Sequence, residues 1–234
     1  MTLLISFVAT KARAVLRAEP WKTAKVHLLL TDRLTCPRCG PEFGLILLAH
    51  GLSDRRVREG VLGCPNCRDK FSVQDGFGDL RAPPRRELGV GLAGAFGSHD
   101  AAEAQRIAAL IGVTRGPGTV ALVGGVAGHG PAIAQLTEDL LVVGIDSDLR
   151  SWPDDPSWSR IAASPGLPFF SRTLRGVALD GCLGRRWIDE AARVVAPMSR
   201  LVVTGAVDET SAWLEEAGLE VMAAEGETVV ATRS

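Results

Sequence analysis

Between residues 118 and 232 short apolar runs alternate with segments whose apolar residues return every three or four positions. Gly118-Thr119-Val120-Ala121-Leu122-Val123 is an apolar run of strand length, and Leu140-Leu141-Val142-Val143-Gly144-Ile145-Asp146 is a second that ends in an acid, as expected for strands covered on both faces. Residues 175–180 and 199–204 predict two more. Among them, residues 131–136 open a helix with Pro131 at a tolerated first position. Residues 187–195 place Ile188, Ala191, Ala192 and Val195 on one side of a second helix. Residues 211–217 predict a third, ended by Gly218. Residues 219–223 and 228–232 flank Glu225-Gly226-Glu227 and predict a closing antiparallel hairpin. Strands alternating with helices predict an α/β fold, a doubly wound and mostly parallel sheet.

Upstream the pattern changes. In residues 26–81 Phe71 and Val73 alternate with polar neighbours before an Asp75-Gly76 turn signal. Residues 82–98 are rich in Pro, Gly and Arg and read as a linker. Residues 1–25 set Leu4, Phe7, Val8, Val15 and Leu16 among Lys11, Arg13 and Arg17. This basic leader is a membrane-surface helix, a helix packed on its own protein, or an extension ahead of a module that opens at His27-Leu28-Leu29-Leu30. The division expected is leader 1–25, cysteine module 26–81, linker 82–98 and α/β domain 99–234.

Composition narrows the classes. The 234 residues are 46% hydrophobic, enough for a proper core. No apolar run reaches the roughly 18–20 residues of a membrane span, and the leader's charges follow its apolar stretch, the reverse of a secretory signal. Net charge is −1, but residues 1–86 hold 15 Lys/Arg against 8 Asp/Glu and residues 87–234 hold 11 against 19. A basic head on an acidic body suits an RNA or acidic protein partner, or attraction between the halves.

Four of the five cysteines form two C-x-x-C pairs, Cys36-Pro37-Arg38-Cys39 and Cys64-Pro65-Asn66-Cys67, separated by 24 residues; Cys182 stands apart. Such spacing and a lone thiol suggest a reducing, cytoplasmic setting. Two such turns can supply four thiolates to a tetrahedral zinc, and a site closed by four protein ligands is structural. The alternative is a redox dithiol. Together with Leu28-Leu29-Leu30-Thr31-Asp32-Arg33-Leu34-Thr35-Cys36, Gly60-Val61-Leu62-Gly63 and Phe71-Ser72-Val73-Gln74-Asp75-Gly76, these pairs make residues 26–81 resemble the zinc-ribbon family of small tRNA-methyltransferase activator subunits. The resemblance implies a zinc-binding scaffold that stabilises a methyltransferase through strand pairing and apolar contact, here the domain that follows it.

In the α/β part, Gly124-Gly125-Val126-Ala127-Gly128-His129-Gly130 joins an apolar strand to a helix, and Asp146 ends the next strand. Glycines let a ligand approach the backbone, and an acid at the second strand's end suits ribose hydroxyls. With Gly166-Leu167-Pro168-Phe169, the segment 189–197 and the closing hairpin, residues 100–234 resemble class I S-adenosylmethionine-dependent methyltransferases. That resemblance implies that Gly124, Gly125 and Gly128 face the cofactor's methionine part and that Asp146 holds its ribose.

The departures are specific. Leu122 or Val123 stands where the family carries an acid for the cofactor's amine. Val126 replaces a glycine and is expected to crowd the ligand. Ser164 is the polar group offered at the third strand's end, and Met198-Ser199 follows the long helix in place of Gly-Gly. Two functions therefore stay open: a methyltransferase with a built-in activator module, and a non-catalytic adaptor that holds a protein or RNA partner. Asp180 and Cys182, at the fourth strand's end, are either catalytic or a strand-end acid and a buried thiol. Trp152 and Trp158 either stack on a base or pack a long loop. His129 either touches a ligand or is exposed. Arg55-Arg56-Val57-Arg58 either meets phosphates or is a solvated loop.

Overall fold

The computed structural model of the chain describes residues 26–88, 100–113, 116–136, 139–146, 148–152 and 155–234. The leader expected over 1–25 and most of the expected linker lie outside these residues. The N-terminal part contains β1 (Val26–His27), the one-turn helix α1 (Leu28–Thr31), β2 (Thr35–Cys36), β3 (Gly40–Gly44), β4 (Ile46–Ser53), β5 (Arg56–Gly63), β6 (Lys70–Gln74) and β7 (Phe77–Arg81). After α2 (Ala101–Ile111) come β8 (Gly118–Val123), α3 (Gly130–Gln135), β9 (Leu140–Ile145), β10 (Trp158–Ser164) and β11 (Leu174–Asp180). The chain closes with α4 (Arg185–Val194), β12 (Val195–Thr204), α5 (Thr210–Glu216), β13 (Glu220–Glu225) and β14 (Thr228–Thr232).

Twelve of the strands share one sheet, ordered β1-β5-β6-β7-β10-β9-β8-β11-β12-β14-β13, with β4 paired to β5. Strands β8 to β12 run parallel, and β14 lies antiparallel between β12 and β13. This is the doubly wound sheet of the class I methyltransferase type with its closing hairpin. The order reverses between β8 and β11, and a ligand crevice is expected outside the carboxyl ends of those strands.

The unbroken apolar runs follow from this position. On β8, Ala121 and Val123 face a core shared with Ile188 and Ala191 of α4, while Val120 and Leu122 face a second core with Ile107 of α2 and Ile133 of α3. Both faces are covered, so neither can be polar. Asp100 caps α2 by accepting from the Ala102 N–H at 2.9 Å, and Gly112 ends it at φ +77°.

The cysteine module joins this sheet edge to edge. β7 pairs in parallel with β10 from Phe77↔Arg160 to Arg81↔Ser164, and the Ala82 N–H extends the ladder to the Ser164 carbonyl at 2.8 Å. The Thr35 N–H donates to the Pro168 carbonyl at 2.9 Å, and Leu34 bridges to Phe169. Leu34, Cys36, Leu62 and Phe71 share one buried cluster with Ile161, Phe169 and Ile188. Strand pairing and apolar contact thus occur inside one chain.

β10 ends at Ser164, where the third strand was expected to end, but the apolar pattern does not outline its span because Arg160 interrupts the run. Arg160 is 2% exposed, and its Nη1 donates to the carbonyls of Leu149 (2.9 Å) and Trp152 (2.6 Å). Trp158 opens β10, is buried, and lies so close to Gly130 and Gly144 that a side chain at either would enter the ring. It packs edge-on to Trp152 at 6.1 Å. Trp158 is a core residue of a strand, neither part of a loop nor an exposed stacking platform. No helix among the described residues is long and apolar enough to cross a membrane.

Candidate functional site: a cysteine cluster and a crevice at the strand tips

Cys36 ends β2 and Cys39 follows on a tight turn; Gly40, at φ +106°, lets the chain reverse into β3. Cys64 and Cys67 lie on the turn between β5 and β6. The four sulfurs all lie within 4.8 Å of one another. Cys36 Sγ is 3.7 Å from Cys67 Sγ, and Cys64 Sγ is 3.8 Å from Cys39 Sγ. A tetrahedron with metal–sulfur bonds of about 2.3 Å puts its sulfurs about 3.8 Å apart, so the donor set and spacing fit a four-coordinate ion with no open position. The Cys39 N–H points at Cys36 Sγ (3.4 Å) and Asn66 Nδ2 at Cys39 Sγ (3.3 Å), as thiolate ligands require. Arg38 and Asp69 tie the two turns together at 3.1 Å.

Burial pushes the Cys36 thiol up to about 12. At Cys64 burial acts the same way, but hydrogen bonds from the Cys67 and Asn66 backbone and from the neighbouring thiols outweigh it and bring the thiol down to about 7. Four thiolates this close repel one another, and a divalent cation at their centre removes that repulsion. Cys182 lies apart and is exposed, not buried as one reading had it. Hydrogen bonding to Asp180, and then its charge, pushes the Cys182 thiol up, which disfavours the reactive thiolate.

The second feature is a cavity of about 180 Å³ at the carboxyl ends of β8, β9 and β10, lined among others by Val123, Gly124, Asp146, Ala162, Leu183 and Trp187. Of the four expected cofactor contacts, Gly124 and Asp146 reach this wall. Gly125 is exposed and faces Asp180, whose Oδ2 would lie 2.9 Å from a β-carbon there. Gly128 is buried within the 3₁₀ turn Gly124–His129 and does not line the cavity.

Val126 does not crowd the crevice as its position in the motif suggested. The 3₁₀ winding turns it into the core beneath α2 and α3, where it is 6% exposed. What crowds the glycine turn is Leu183, whose Cδ1 would lie 2.9 Å from a β-carbon on Gly124. Asp180 Oδ1 accepts from the Cys182 N–H at 3.0 Å and so holds the short turn that carries Leu183.

One wall residue comes from the other half of the chain. Arg81, the last residue of β7, lines the crevice beside Ala162 and Ala163. Its Nε and Nη2 each donate to Asp79 at 2.8 Å, and its Nη1 donates to the Arg86 carbonyl at 2.7 Å. Burial would raise the Asp79 carboxyl, but the Arg81 hydrogen bonds and charge outweigh it and hold it below its usual value. No sequence signal marks Arg81; its importance arises only from the β7–β10 register.

No protein-family model matches the chain, and no curated protein matches it in sequence. Solved structures similar to it include three methyltransferases. A precorrin-6y C5,15-methyltransferase from Geobacter metallireducens is 12% identical over 56% of this chain and 87% of its own, with a TM-score of 0.43. A geranyl diphosphate methyltransferase solved with S-adenosylmethionine is 10% identical over 57% and 85%, at 0.46. An aminoglycoside resistance methyltransferase is 16% identical over 56% and 93%, at 0.40. All three scores lie below 0.5; strand order and the residues at the strand tips, not these alignments, identify the fold.

Chemically, the crevice offers one carboxylate, Asp146, set among apolar walls, with a guanidinium at its β10 side. That arrangement suits a ligand with vicinal hydroxyls and a flat apolar body. A carboxyl to receive an ammonium group is missing at Val123; Asp180, across the glycine turn, is a nearby acid.

Proposed function

We propose that this chain is a methyltransferase-like protein with its activator built in, in which a zinc-loaded N-terminal module braces the β10 edge of the sheet and completes the wall of an S-adenosylmethionine crevice. The observation that carries this reading is the parallel β7–β10 pairing, which places Arg81 of the module in the same cavity wall as Asp146. Cys36, Cys39, Cys64 and Cys67 would hold zinc as a structural ion. Asp146 would accept from the ribose hydroxyls, Val123, Ile145 and Ala162 would contact the adenosine, and Gly124 would admit the methionine arm. When bound, the cofactor supplies an activated methyl group. The chain's own part is to orient the nucleoside and exclude water around it.

A second reading, the non-catalytic adaptor, is favoured by the crevice volume. About 180 Å³ falls below the roughly 300–1,000 Å³ of ordinary small-molecule sites, and Leu183 lies where the methionine arm would pass. Calorimetric titration of the zinc-loaded chain with S-adenosylmethionine separates the two. Micromolar binding that Asp146→Ala weakens at least about tenfold, the loss of one charged hydrogen-bond acceptor, supports the first. No binding at millimolar cofactor leaves the adaptor.

A further inference from the structure

A second cavity lies at the other end of the parallel strands. It measures about 680 Å³ and lies in the crease where α1 and the β4–β5 turn of the cysteine module meet the amino ends of β8, β9 and β10. Asp146, the acid of the crevice, directly follows β9, whereas Leu140 and Leu141 of this cavity begin it. Six residues of strand at about 3.3 Å each separate the two sites by roughly 20 Å. A ligand in the crease is therefore neither the cofactor nor a methyl acceptor.

Three guanidinium groups line the crease. Arg33 Nη1 donates to the Thr173 carbonyl at 3.2 Å, which fixes that side chain. Arg55 and Arg56 have no hydrogen bond or ion pair from their side chains among the described residues, whereas Arg58, two residues along the strand from Arg56, is paired with Asp75 at 3.3 Å. Arg56 is held half-buried on the strand that pairs with both β1 and β4, and burial pushes its pKa down. The Asp155 and Asp54 carboxylates act on Arg56 from a distance and offset only part of the cost of burial, and an anion in the crease would offset more of it.

His27 adds a directed donor. Its Nδ1 accepts from the Leu29 N–H at 3.2 Å, which leaves Nε2 carrying the proton. Burial, then the charges of Arg56 and Arg55, keep its pKa low, so the ring stays neutral. Two more wall residues, Thr119 and Trp158, carry buried polar atoms (Oγ1 and Nε1) without a hydrogen-bond partner among the described residues. Asp32 and Asp139 supply acceptors, and Phe170 and Leu140 supply apolar surface. Arginines for a phosphate, carboxylates for sugar hydroxyls and an apolar wall for a base, in a volume within the ordinary ligand range, describe a nucleotide.

We propose that the crease between the cysteine module and the amino ends of the sheet binds a nucleotide phosphate, free or within an RNA strand, through Arg55 and Arg56. This does not depend on cofactor binding at the opposite end. Guanidinium groups match phosphate oxygens in a bidentate fashion, and Arg55 on the β4–β5 turn and Arg56 at the start of β5 both line the crease, so they can engage one phosphate or two adjacent ones.

The test is calorimetry on the zinc-loaded full chain with uridine 5′-monophosphate and, separately, a short oligouridylate. Uridine avoids the adenosine preference expected at the strand tips. Binding of either is expected, weakened about tenfold or more by Arg55→Gln with Arg56→Gln and unchanged by saturating S-adenosylmethionine. Arg55→Gln alone, on the exposed turn, keeps the fold whatever the double variant does and is expected to cost several-fold. Binding of the mononucleotide identifies a free nucleotide as sufficient; binding of the oligonucleotide alone, with a steep salt dependence, identifies an RNA backbone. No binding of either at millimolar ligand, equal affinity in wild type and Arg55→Gln, or displacement by S-adenosylmethionine would overturn the proposal.

Discussion

Strands β8 and β4 belong to one sheet yet live in different surroundings. β8 is covered on both faces, and from Thr119 to Val123 every residue is buried. β4 is the outer edge of the cysteine module, and Ile46, Leu48 and Leu52 on it are 64%, 63% and 55% exposed. The α/β half fills one core beneath α2 and α3 almost alone, with Phe77 the module's one fully buried contribution, and supplies most of a second. The module has no such interior: its buried residues, Leu34, Cys36, Leu62 and Phe71, belong to a core that the α/β half completes. A small module with half a core needs another source of stability, and four clustered thiols are the means by which a metal supplies it. The dependence is mutual, because without β7 the strand β10 becomes an open edge with unpaired backbone groups.

The sharpest way to break this contrast is to remove the metal. Chelation, or Cys36→Ser with Cys64→Ser, is expected to unfold the module, since structural zinc supplies on the order of 10 kcal/mol to such folds. One zinc per chain by metal analysis, and a large loss of strand signal by circular dichroism after chelation, are the expected results. A module that keeps its full circular dichroism and melting point without metal would place its stability elsewhere.

A smaller effect sharpens the other side. If Leu183 is what narrows the crevice, Leu183→Ala should tighten S-adenosylmethionine binding several-fold, about 1 kcal/mol, with little change in melting temperature. Unchanged or weaker binding would mean that the leucine is a wall the ligand uses.

The smallest effect expected lies at the seam. Asp79, held below its usual value by Arg81 despite burial, is more acidic folded than unfolded. Its contribution, on the order of 1 kcal/mol, is present above the unfolded value near 4 and is lost as pH falls through the lower folded value. Urea unfolding of wild type and Asp79→Asn should therefore differ at neutral pH and converge once the pH has fallen below the folded value. A constant gap across that window would assign the loss to packing.

The α/β half was legible because burial on both faces writes itself as unbroken apolar runs. β8 matches the run 118–123 residue for residue, β9 stops at Ile145, one residue short of the acid expected to end it, and Asp75-Gly76 turns β6 into β7 with both residues at positive φ. The span of β10 was hidden because a buried arginine satisfied by backbone carbonyls looks like a loop residue in one dimension. Within the site, the cysteines and Asp146 were readable from spacing. Arg81 and Leu183 were not, because their roles come from a register between distant strands and from a turn that Asp180 holds. Val126 was misread because a motif position does not reveal that the turn winds as a 3₁₀ helix. The arginine turn was visible as Arg55-Arg56, but the fold alone separates these two, which face the crease, from Arg58, which pairs with Asp75.

The central claim is that the module closes the β10 edge, and amide hydrogen exchange followed by mass spectrometry, with and without chelation of the metal, tests it most directly. Residues 158–164 are expected to lose protection together with residues 70–81 when the metal is withdrawn, while residues 118–123 stay protected. Protection of 158–164 that survives the unfolding of the module would contradict it.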